Sequence, residues 1–298
     1  MRAIDRILCP VDLSDVSRHA IRHAVLLAEW YHAKITALHV CNPIVIPWSD
    51  PTLGGVVAPP ELTEDQIDGI RHQVLRCFDS ASRVALDALV ATGDPARRIL
   101  EQAKSLPADL IVIGTHGTGG FQHLVLGSVA EKVLRQAACP VLTVPPHART
   151  TSTLPFRRML CPVDFSDSSL AALDFAHSLA QEGDAALTIL HVLETPADDG
   201  PLTTRPITAP EYRLELERDV ATTLHELIPD AIRDSARSAT RLVHGKAYRE
   251  ILSVATEENA DLIVMGVHGR NALDLMLFGS TTNQVVRRAV CPVLTLRR

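Results

Sequence analysis

The chain is poor in aromatic residues and has no excess of positive charge. Phenylalanine, tryptophan and tyrosine make up 4% of its 298 residues, and the formal net charge is −6 at pH 7. Nucleic acids and anionic membranes are bound by clustered basic side chains, so this balance gives no footprint for either. No apolar run approaches the roughly 20 residues of a membrane span, and the N-terminus lacks a signal-peptide core. We therefore expect a cytoplasmic protein that binds neither nucleic acid nor membrane.

The cysteines lack the paired spacing of redox and zinc motifs. The six residues are Cys9, Cys41, Cys77, Cys139, Cys161 and Cys291. A redox switch or a metal site is one interpretation. The other is that they are small buried apolar side chains in a reducing compartment, and it is favoured because four of them occupy repeated Cys-Pro steps beside strands.

Glycine, by contrast, recurs in one spacing at two places. The two strings are Gly114-Thr115-His116-Gly117, nine residues, Gly127-Ser128, and Gly266-Val267-His268-Gly269, nine residues, Gly279-Ser280. Each string follows an apolar strand-like run and leads into a helix-like segment, a context in which backbone N–H groups and a positive helix terminus face a phosphate.

The glycine strings belong to a longer repeat, because Gly266 lies 152 positions after Gly114. Three further pairs of segments keep this offset: Ile7–Asp15 with Met159–Asp167, Leu38–Val40 with Leu190–Val192, and Cys139–Thr143 with Cys291–Thr295. A constant offset indicates a duplicated domain rather than a solenoid, whose repeats are roughly 20–50 residues long. We expect a first domain at 1–146, a polar, proline-bearing linker at 147–156 and a second domain at 157–298.

Strand-like and helix-like segments alternate within each repeat, which predicts an α/β fold with a doubly wound parallel sheet. The predicted strands lie near Arg6–Val11, Lys34–Val40, Ala85–Ala91, Leu110–Ile113 and Pro140–Val144, and near Arg158–Val163, Ala186–Val192, Arg241–Val243, Leu262–Met265 and Pro292–Leu296. Ligands of such sheets bind beyond the carboxyl ends of the strands, where the strand order reverses. Asp12 and Asp164 follow the first strands and the glycine strings follow the fourth, so we expect both motifs to converge on one crevice per repeat.

The glycine strings are suited to holding a phosphate. Glycine lets the backbone approach a ligand closely and permits positive φ, and the helix that starts at Gly127-Ser128 offers N–H groups and a hydroxyl. The phosphate loop of the common nucleotide hydrolases also requires a lysine, which neither string has. Without that charge on a transferring phosphoryl group, the motif predicts nucleotide binding rather than rapid hydrolysis, with at most a slow ATPase.

These motifs resemble those of the universal stress proteins. The resemblance rests on Pro-Val-Asp-x-Ser, Leu-His-Val, Gly-x2-Gly-x9-Gly-Ser and the terminal Cys-Pro-Val-Leu, and it covers almost all of both repeats. It implies the tandem, ATP-binding form of the family: five strands per domain in the order 3-2-1-4-5, of the adenine-nucleotide alpha hydrolase-like fold. The implied function is a regulatory protein of the stress response that binds ATP, or a related adenine nucleotide, with Mg²⁺.

The resemblance also implies where the nucleotide would bind. Adenine and ribose would lie near Pro10, Val11, Asp12 and Val40, and near Pro162, Val163, Asp164 and Val192. The phosphates would lie near Gly114, His116, Gly117, Gly127, Ser128 and Val129, and near Gly266, His268, Gly269, Arg270, Gly279, Ser280 and Thr281. No catalytic residue and no protein ligand of a metal is implied.

Simpler roles remain open for several of these residues. Asp12 and Asp164 could cap the helices that follow them, and Ser128 and Ser280 could be only helix N-caps. His39 and His191 are expected to be hydrogen-bonded core residues. The repeats also differ, since Arg270 stands where the first repeat has Thr118, and we expect unequal affinities. We expect the last strands of the repeats to pair as an internal pseudo-dimer, and a homodimer stays open. The alternatives are a slow ATPase or nucleotidyl-transfer enzyme, and a scaffold with empty or non-ATP pockets, for example for a flavin nucleotide.

Overall fold

Strands and helices alternate along both repeats, as the sequence pattern predicts. The computed structural model describes residues 4–15, 17–42, 62–78, 84–115, 126–146, 148, 156–194, 210–228, 230–233, 237–268 and 279–297. The chain divides into two units. Unit 1 comprises Met1–Leu154 and Ala289–Arg297, and unit 2 comprises Pro155–Arg288 and Arg298. The domain boundaries drawn from the repeat stay a prediction.

Unit 1 contains the first repeat and the last strand of the chain. Its elements are β1 (Arg6–Pro10), α1 (Ser17–Tyr31), β2 (Lys34–Cys41), α2 (Glu64–Arg76), β3 (Leu86–Thr92), α3 (Pro95–Ser105), β4 (Leu110–Gly114), α4 (Ser128–Gln136), β5 (Val141–Val144) and β10 (Val293–Leu296). The strands β3-β2-β1-β4-β5 are parallel in that order, and β10 is antiparallel to β5.

Unit 2 repeats this arrangement. Its elements are β6 (Arg158–Pro162), α5 (Asp167–Gly183), β7 (Ala186–Leu193), α6 (Pro210–Leu227), α7 (Asp230–Arg233), β8 (Ser238–His244), α8 (Ala247–Glu257), β9 (Leu262–Gly266) and α9 (Ser280–Arg288). The strands β8-β7-β6-β9 are parallel in that order. The predicted fold class, a doubly wound and predominantly parallel α/β sheet in each repeat, is confirmed.

The central strands carry consecutive buried apolar residues because helices cover both faces of a parallel sheet. Ile7, Leu8 and Cys9 in β1 are buried, as are Met159, Leu160 and Cys161 in β6. The helix α3 begins after a side-chain cap. The Asp94 carboxylate accepts a hydrogen bond of 2.9 Å from the Arg97 N–H. Pro95 follows in the first turn of α3, which needs no donor at that position.

The last strands of the two repeats pair as expected. Leu142 in β5 stands opposite Leu294 in β10, and these two residues are equivalent in the repeat. The flanking contacts are reciprocal: Thr143 Oγ1 donates to the Val293 carbonyl at 3.0 Å, and Thr295 Oγ1 donates to the Val141 carbonyl at 3.2 Å. The ladder therefore has a local twofold centre, and the apolar edge of β5 is paired rather than exposed.

Some sequence expectations fall on residues outside those described. They include most of the predicted linker at 147–156. In the part of the chain that the structure covers, no helix is both long and apolar enough to cross a membrane.

The reciprocal threonines give a test of the β5–β10 ladder. Replacing Thr143 or Thr295 with valine keeps the side-chain shape but removes the donor to a buried carbonyl. We expect each change to lower the free energy of unfolding by about 1 kcal/mol, measured from urea denaturation. Thr92→Val, at the exposed end of β3, is the matched control and should change it by less than about 0.5 kcal/mol. Equal effects at the buried and exposed positions would contradict this role.

Candidate functional site

The strand order places the two predicted motifs at the same edge of each sheet. In unit 1, β1 lies between β2 and β4, with Leu8 beside Ile111. In unit 2, β6 lies between β7 and β9, with Leu160 beside Ile263. The order reverses at β1 and β6, which is where doubly wound sheets open a crevice beyond their carboxyl ends. The residues after β1 and β4 therefore meet at one edge of the sheet in unit 1. In unit 2, the residues after β6 and β9 meet at the equivalent edge.

The aspartates that follow the first strands form identical turns in the two repeats. Asp12 Oδ1 accepts hydrogen bonds from the N–H of Ser14 at 3.1 Å and from its hydroxyl at 2.6 Å. Asp164 Oδ1 accepts the same two bonds from Ser166, at 3.1 and 2.6 Å. Such Asx turns reproduce a backbone turn with a side chain. A ligand contact of these carboxylates must therefore share Oδ1 or use Oδ2.

The serine held by each aspartate serves the helix that follows. Ser166 is the N-cap of α5, and its hydroxyl accepts the Ser169 N–H at 3.2 Å. In the first repeat, Ser14 Oγ accepts the Ser17 N–H at 3.3 Å. In both repeats the serine bonds to the first turn of the helix, and the aspartate fixes that serine. The alternative that Ser128 is only a helix N-cap is wrong, because Gly127 is the N-cap of α4. The predicted contact of Asp12 and Asp164 with a nucleotide stays a prediction.

One feature of these turns was missed by sequence reasoning. Leu13 and Phe165, between the aspartate and the serine, have φ of 63° and 64°, in the left-handed region. A side chain with a Cβ pays about 1–2 kcal/mol for this conformation, which persists only where its surroundings enforce it. No residue type in the motif signals it. Its occurrence at equivalent positions of both repeats shows that the turn itself specifies it.

The repeated histidines link the second strand to this turn. His39 Nδ1 lies 2.8 Å from the Val11 carbonyl, and His191 Nδ1 lies 2.7 Å from the Val163 carbonyl. A carbonyl only accepts, so Nδ1 carries the proton in both rings. The ring of His191 also stacks on Phe165, with centroids 4.5 Å apart. The expectation of hydrogen-bonded structural histidines is confirmed.

These bonds occupy the backbone that was expected to contact adenine. The Val11 N–H donates to the Leu38 carbonyl at 2.9 Å, and the Val163 N–H donates to the Leu190 carbonyl at 2.8 Å. With the carbonyls accepting from the histidines, each valine retains only one carbonyl lone pair for a ligand. A base edge would therefore need other backbone groups nearby, such as those around Val40 and Val192.

The helix after the first glycine string starts without a side-chain cap. Gly127 is the N-cap of α4 and makes no side-chain hydrogen bond, whereas Thr63, Asp94 and Ser166 cap their helices with side-chain oxygens. The first N–H groups of a helix have no acceptor within it. The α4 terminus therefore presents these N–H groups, next to the Ser128 hydroxyl, without a side chain of its own in front of them.

The two glycine segments, which run from Thr115 to Gly127 and from Val267 to Gly279, are closed by equivalent hydrogen bonds at their ends. The Gly127 N–H donates to the Thr115 carbonyl at 2.8 Å, and the Gly279 N–H donates to the Val267 carbonyl at 3.1 Å. Each bond ties the start of a helix back to the end of the preceding strand. The chain between them therefore leaves and returns at nearly the same place on the sheet.

The reason expected for glycine at these positions is partly wrong. Gly127 has φ of −58°, which any residue adopts. Among the described glycines, positive φ occurs at Gly93 (128°) and Gly245 (145°), in the turns from β3 to α3 and from β8 to α8. The sharp backbone reversal is needed at those strand ends and not at Gly127. Close approach remains the argument for glycine there.

Gly266 has a packing requirement that the sequence did not reveal. A Cβ at this position would lie 2.6 Å from Ser168 Oγ and 2.8 Å from the carbonyl carbon of Ser168. The first turn of α5 therefore rests directly on the end of β9. This contact shows that the turn after β6 and the glycine segment after β9 do meet in unit 2.

The other predicted site residues are placed as follows. Pro10 and Pro162 end β1 and β6, Gly114 ends β4, Val40 and Val192 lie one residue before the ends of β2 and β7, Ser128 and Val129 begin α4, and Ser280 and Thr281 begin α9. His116, Gly117, Gly269 and Arg270 lie outside the described residues. Their roles stay predictions.

Three of the cysteines, Cys9, Cys161 and Cys291, are buried, and the other three are half-buried. All six are free thiols. Burial raises the pKa of Cys9 to about 12 and that of Cys139 to about 11, and it raises the pKa of Cys161 as well. No group of three or more His, Cys, Asp or Glu side chains within the described residues is arranged to hold a metal ion. The structural interpretation of the cysteines is therefore supported.

The fold and this edge of the sheet define a tandem α/β protein with one Asx turn and one glycine segment facing each switch point. A sequence model described as the universal stress protein family matches residues 3–145 and again residues 155–297. The chain therefore belongs to the universal stress protein family, and it carries two copies of the family's domain.

Known relatives agree with this assignment. A universal stress protein of Mycolicibacterium smegmatis is 28% identical over 295 residues, which cover 98% of this chain and 96% of that protein. Universal stress protein YxiE of Bacillus subtilis is 35% identical over 147 residues, 47% of this chain and 98% of that protein. The crystal structure of a universal stress protein from Archaeoglobus fulgidus matches with a TM-score of 0.64 at 22% identity, covering 99% of this chain and 96% of that one. At this identity the likeness shows the fold alone.

The contact between Ser168 and Gly266 predicts opposite effects for two Gly→Ala changes. Gly266→Ala forces the α5 backbone away from β9, and we expect it to lower the free energy of unfolding by about 1–3 kcal/mol. Gly69, exposed in α2, has nothing within 4 Å of an added Cβ. Gly69→Ala should raise that free energy by about 0.5–1 kcal/mol. Denaturation curves of the two variants measure both. A stabilised Gly266→Ala protein would show that the close packing is absent.

The raised thiol pKa values predict the order in which the cysteines react. In native protein near neutral pH, Cys9 and Cys161 should stay unlabelled by iodoacetamide, because they are buried and their thiolate is disfavoured. The half-buried Cys41 and Cys77 should label first. Mass spectrometry of peptides from a labelling time course measures this order, and labelling in denaturant is the control that all six can react. Early labelling of Cys9 or Cys161 in folded protein would revive the redox interpretation.

Proposed function

We propose that each repeat binds ATP or a related adenine nucleotide, and that the protein acts as a nucleotide-binding regulator in the stress response. The observation that carries this proposal is the start of α4. There a glycine replaces the capping side chain, at the edge of the sheet where the strand order reverses. The first N–H groups of a helix have no acceptor within it, and together with the positive end of the helix dipole they favour a phosphate at such a terminus.

The rest of the edge is suited to the polar parts of a nucleotide. Asp12 and Asp164 hold rigid turns beside the strand ends, so their carboxylates are preorganised as acceptors for ribose hydroxyls. The Ser128 and Ser280 hydroxyls stand at the first positions of α4 and α9. A glycine at the N-cap lets a phosphate approach the first turn without a Cβ in between.

The charges favour tighter binding in the second repeat. In the first turn of α4, Glu131 places a carboxylate near the proposed phosphates, whereas the equivalent residue of α9 is Asn283. The sequence adds Arg270 to the second glycine string, where the first has Thr118. A like charge weakens binding of an anion and an arginine strengthens it, so both differences act in the same direction.

Magnesium would be held mainly by the nucleotide. The described residues offer no cluster of three or more acidic, histidine or cysteine ligands. Mg²⁺ usually keeps several waters and takes substrate phosphates with only one or two protein ligands, so this donor set fits a metal that arrives with the nucleotide. The ion would neutralise phosphate charge in place of the absent loop lysine.

The same residues favour binding over hydrolysis. Neither glycine string has the lysine that stabilises charge on a transferring phosphoryl group. We expect any ATP turnover to lie well below the ~1 s⁻¹ at the lower end of typical enzymes.

The proposal is tested first by what the purified protein carries. Mass spectrometry of the supernatant after denaturation should identify an adenine nucleotide, and calorimetry on the stripped protein should give two sites of unequal affinity. Gly127→Val should remove the first site, because the branched side chain blocks approach to α4 while the φ of −58° remains allowed. Gly279→Val should remove only the second site.

Each valine variant is the control for the other, and Gly127→Ala gives a smaller side chain at the same place. Thermal melting checks that all variants are folded. Folded Gly127→Val and Gly279→Val proteins that both keep the parent stoichiometry would refute the site assignment. A bound flavin nucleotide, or no nucleotide at any concentration tested, would favour the scaffold alternative.

A further inference from the structure

We infer that Ser168 and Thr282 are positioning residues that anchor the second glycine segment to the rest of its repeat, and that the first repeat lacks both anchors. Ser168 is the second residue of α5, and Thr282 lies in the first turn of α9. Neither belongs to the glycine string itself. The equivalent positions of the first repeat are Val16 and Ala130, which have no hydroxyl.

Ser168 holds the start of the second glycine segment. Its hydroxyl donates to the backbone carbonyl of His268, the last described residue before that segment leaves the sheet. The Ser166 hydroxyl lies 3.2 Å from Ser168 Oγ and 3.5 Å from the same carbonyl. Ser168 is 8% exposed, so this bond is shielded from water. A shielded hydrogen bond with no competing solvent holds its two partners more firmly than an exposed one.

Thr282 holds the end of the second glycine segment, where α9 begins. Its hydroxyl donates to the Gly266 carbonyl at 3.0 Å, and the residue is 4% exposed. The start of α9 is thereby joined to the end of β9 by a side chain as well as by the bond from the Gly279 N–H to the Val267 carbonyl. A hydroxyl from α5 and one from α9 therefore both bond to the backbone of Gly266–His268, where the second glycine segment begins.

The described part of the first repeat retains the backbone bond of this arrangement. The bond from the Gly127 N–H to the Thr115 carbonyl corresponds to that of Gly279. At the position of Thr282, Ala130 is buried and apolar. The first repeat also has a buried hydroxyl at Thr115, directly after β4, where the second repeat has Val267.

The consequence is that the described residues at the two ends of this segment, Gly266–His268 and Gly279, are held in place before a ligand binds. A segment that is already held in place loses less conformational freedom when a ligand binds, so its affinity is higher. This mechanism differs from the charge of Arg270, because it acts in the absence of any ligand. Only its effect on affinity rests on the proposed function.

Hydrogen exchange on the nucleotide-free protein tests the anchors directly. The reporter is the Gly279 amide, which is bonded to the Val267 carbonyl. We expect Ser168→Ala and Thr282→Val each to raise its exchange rate on the order of tenfold, as loss of one buried hydrogen bond implies, and both together to raise it further. The Gly127 amide of the first repeat is the internal reference and should not change.

Ser178→Ala is the matched control variant. It removes an exposed hydroxyl of the same helix, bonded to the Asp174 carbonyl, far along α5 from the glycine segment. It should leave the Gly279 amide unchanged. An equal rate at Gly279 in Ser168→Ala, Thr282→Val and the parent would overturn the anchoring inference, whether or not a nucleotide binds.

Calorimetry in a Gly127→Val background then isolates the second site. If the anchors preorganise it, Ser168→Ala should weaken ATP binding by roughly the same factor by which it raises exchange. Faster exchange with unchanged affinity would overturn preorganisation while leaving the anchor itself intact. Absence of ATP binding in the parent would count against the proposed function and leave the exchange result standing.

Discussion

The position of one strand in each sheet is the constraint on which the rest of the structure depends. β1 lies between β2 and β4, and β6 lies between β7 and β9. Because all these strands are parallel, the Asx turn after the first and the glycine segment after the fourth emerge side by side. A sheet in which the fourth strand paired elsewhere would keep every motif and have no site. The register of a few apolar residues such as Leu8 and Ile111 thus decides whether distant polar residues can act together.

Several weak interactions converge on the few residues that form the edge of the sheet. Left-handed Leu13 and Phe165 strain each turn, and the hydrogen bonds of the aspartate, the serine and the histidine hold it. No single bond among them outweighs the strain by much, since a typical hydrogen bond contributes about 1 kcal/mol. Their combination fixes one geometry, and both repeats retain it.

The two repeats share their backbone arrangement but differ in the side chains at equivalent positions. Thr36, Leu89 and Leu106 line a cavity of about 170 Å³ at the amino ends of the strands of unit 1. At the corresponding positions of unit 2, Thr188 and Arg241 both bond to Glu258, at 2.6 and 3.1 Å. The residues around the glycine segments differ in the same direction, because Ser168 and Thr282 of the second repeat correspond to Val16 and Ala130 of the first. Equivalent folds therefore do not imply equivalent sites.

The sequence alone determined the repeat, the order of strands and helices, and the residue types at the candidate site. These follow from local patterns: apolar runs, Asp94-Pro95 at a helix start, and a constant offset between two halves. Tertiary structure decided what each residue does there. The left-handed φ of Leu13 depends on the surroundings of its turn. The hydrogen bond from His39 to the Val11 carbonyl and the packing of Ser168 against Gly266 join segments about 25 to 100 residues apart. A local pattern carries no record of such contacts, because they exist only once the sheet has brought its strand ends together.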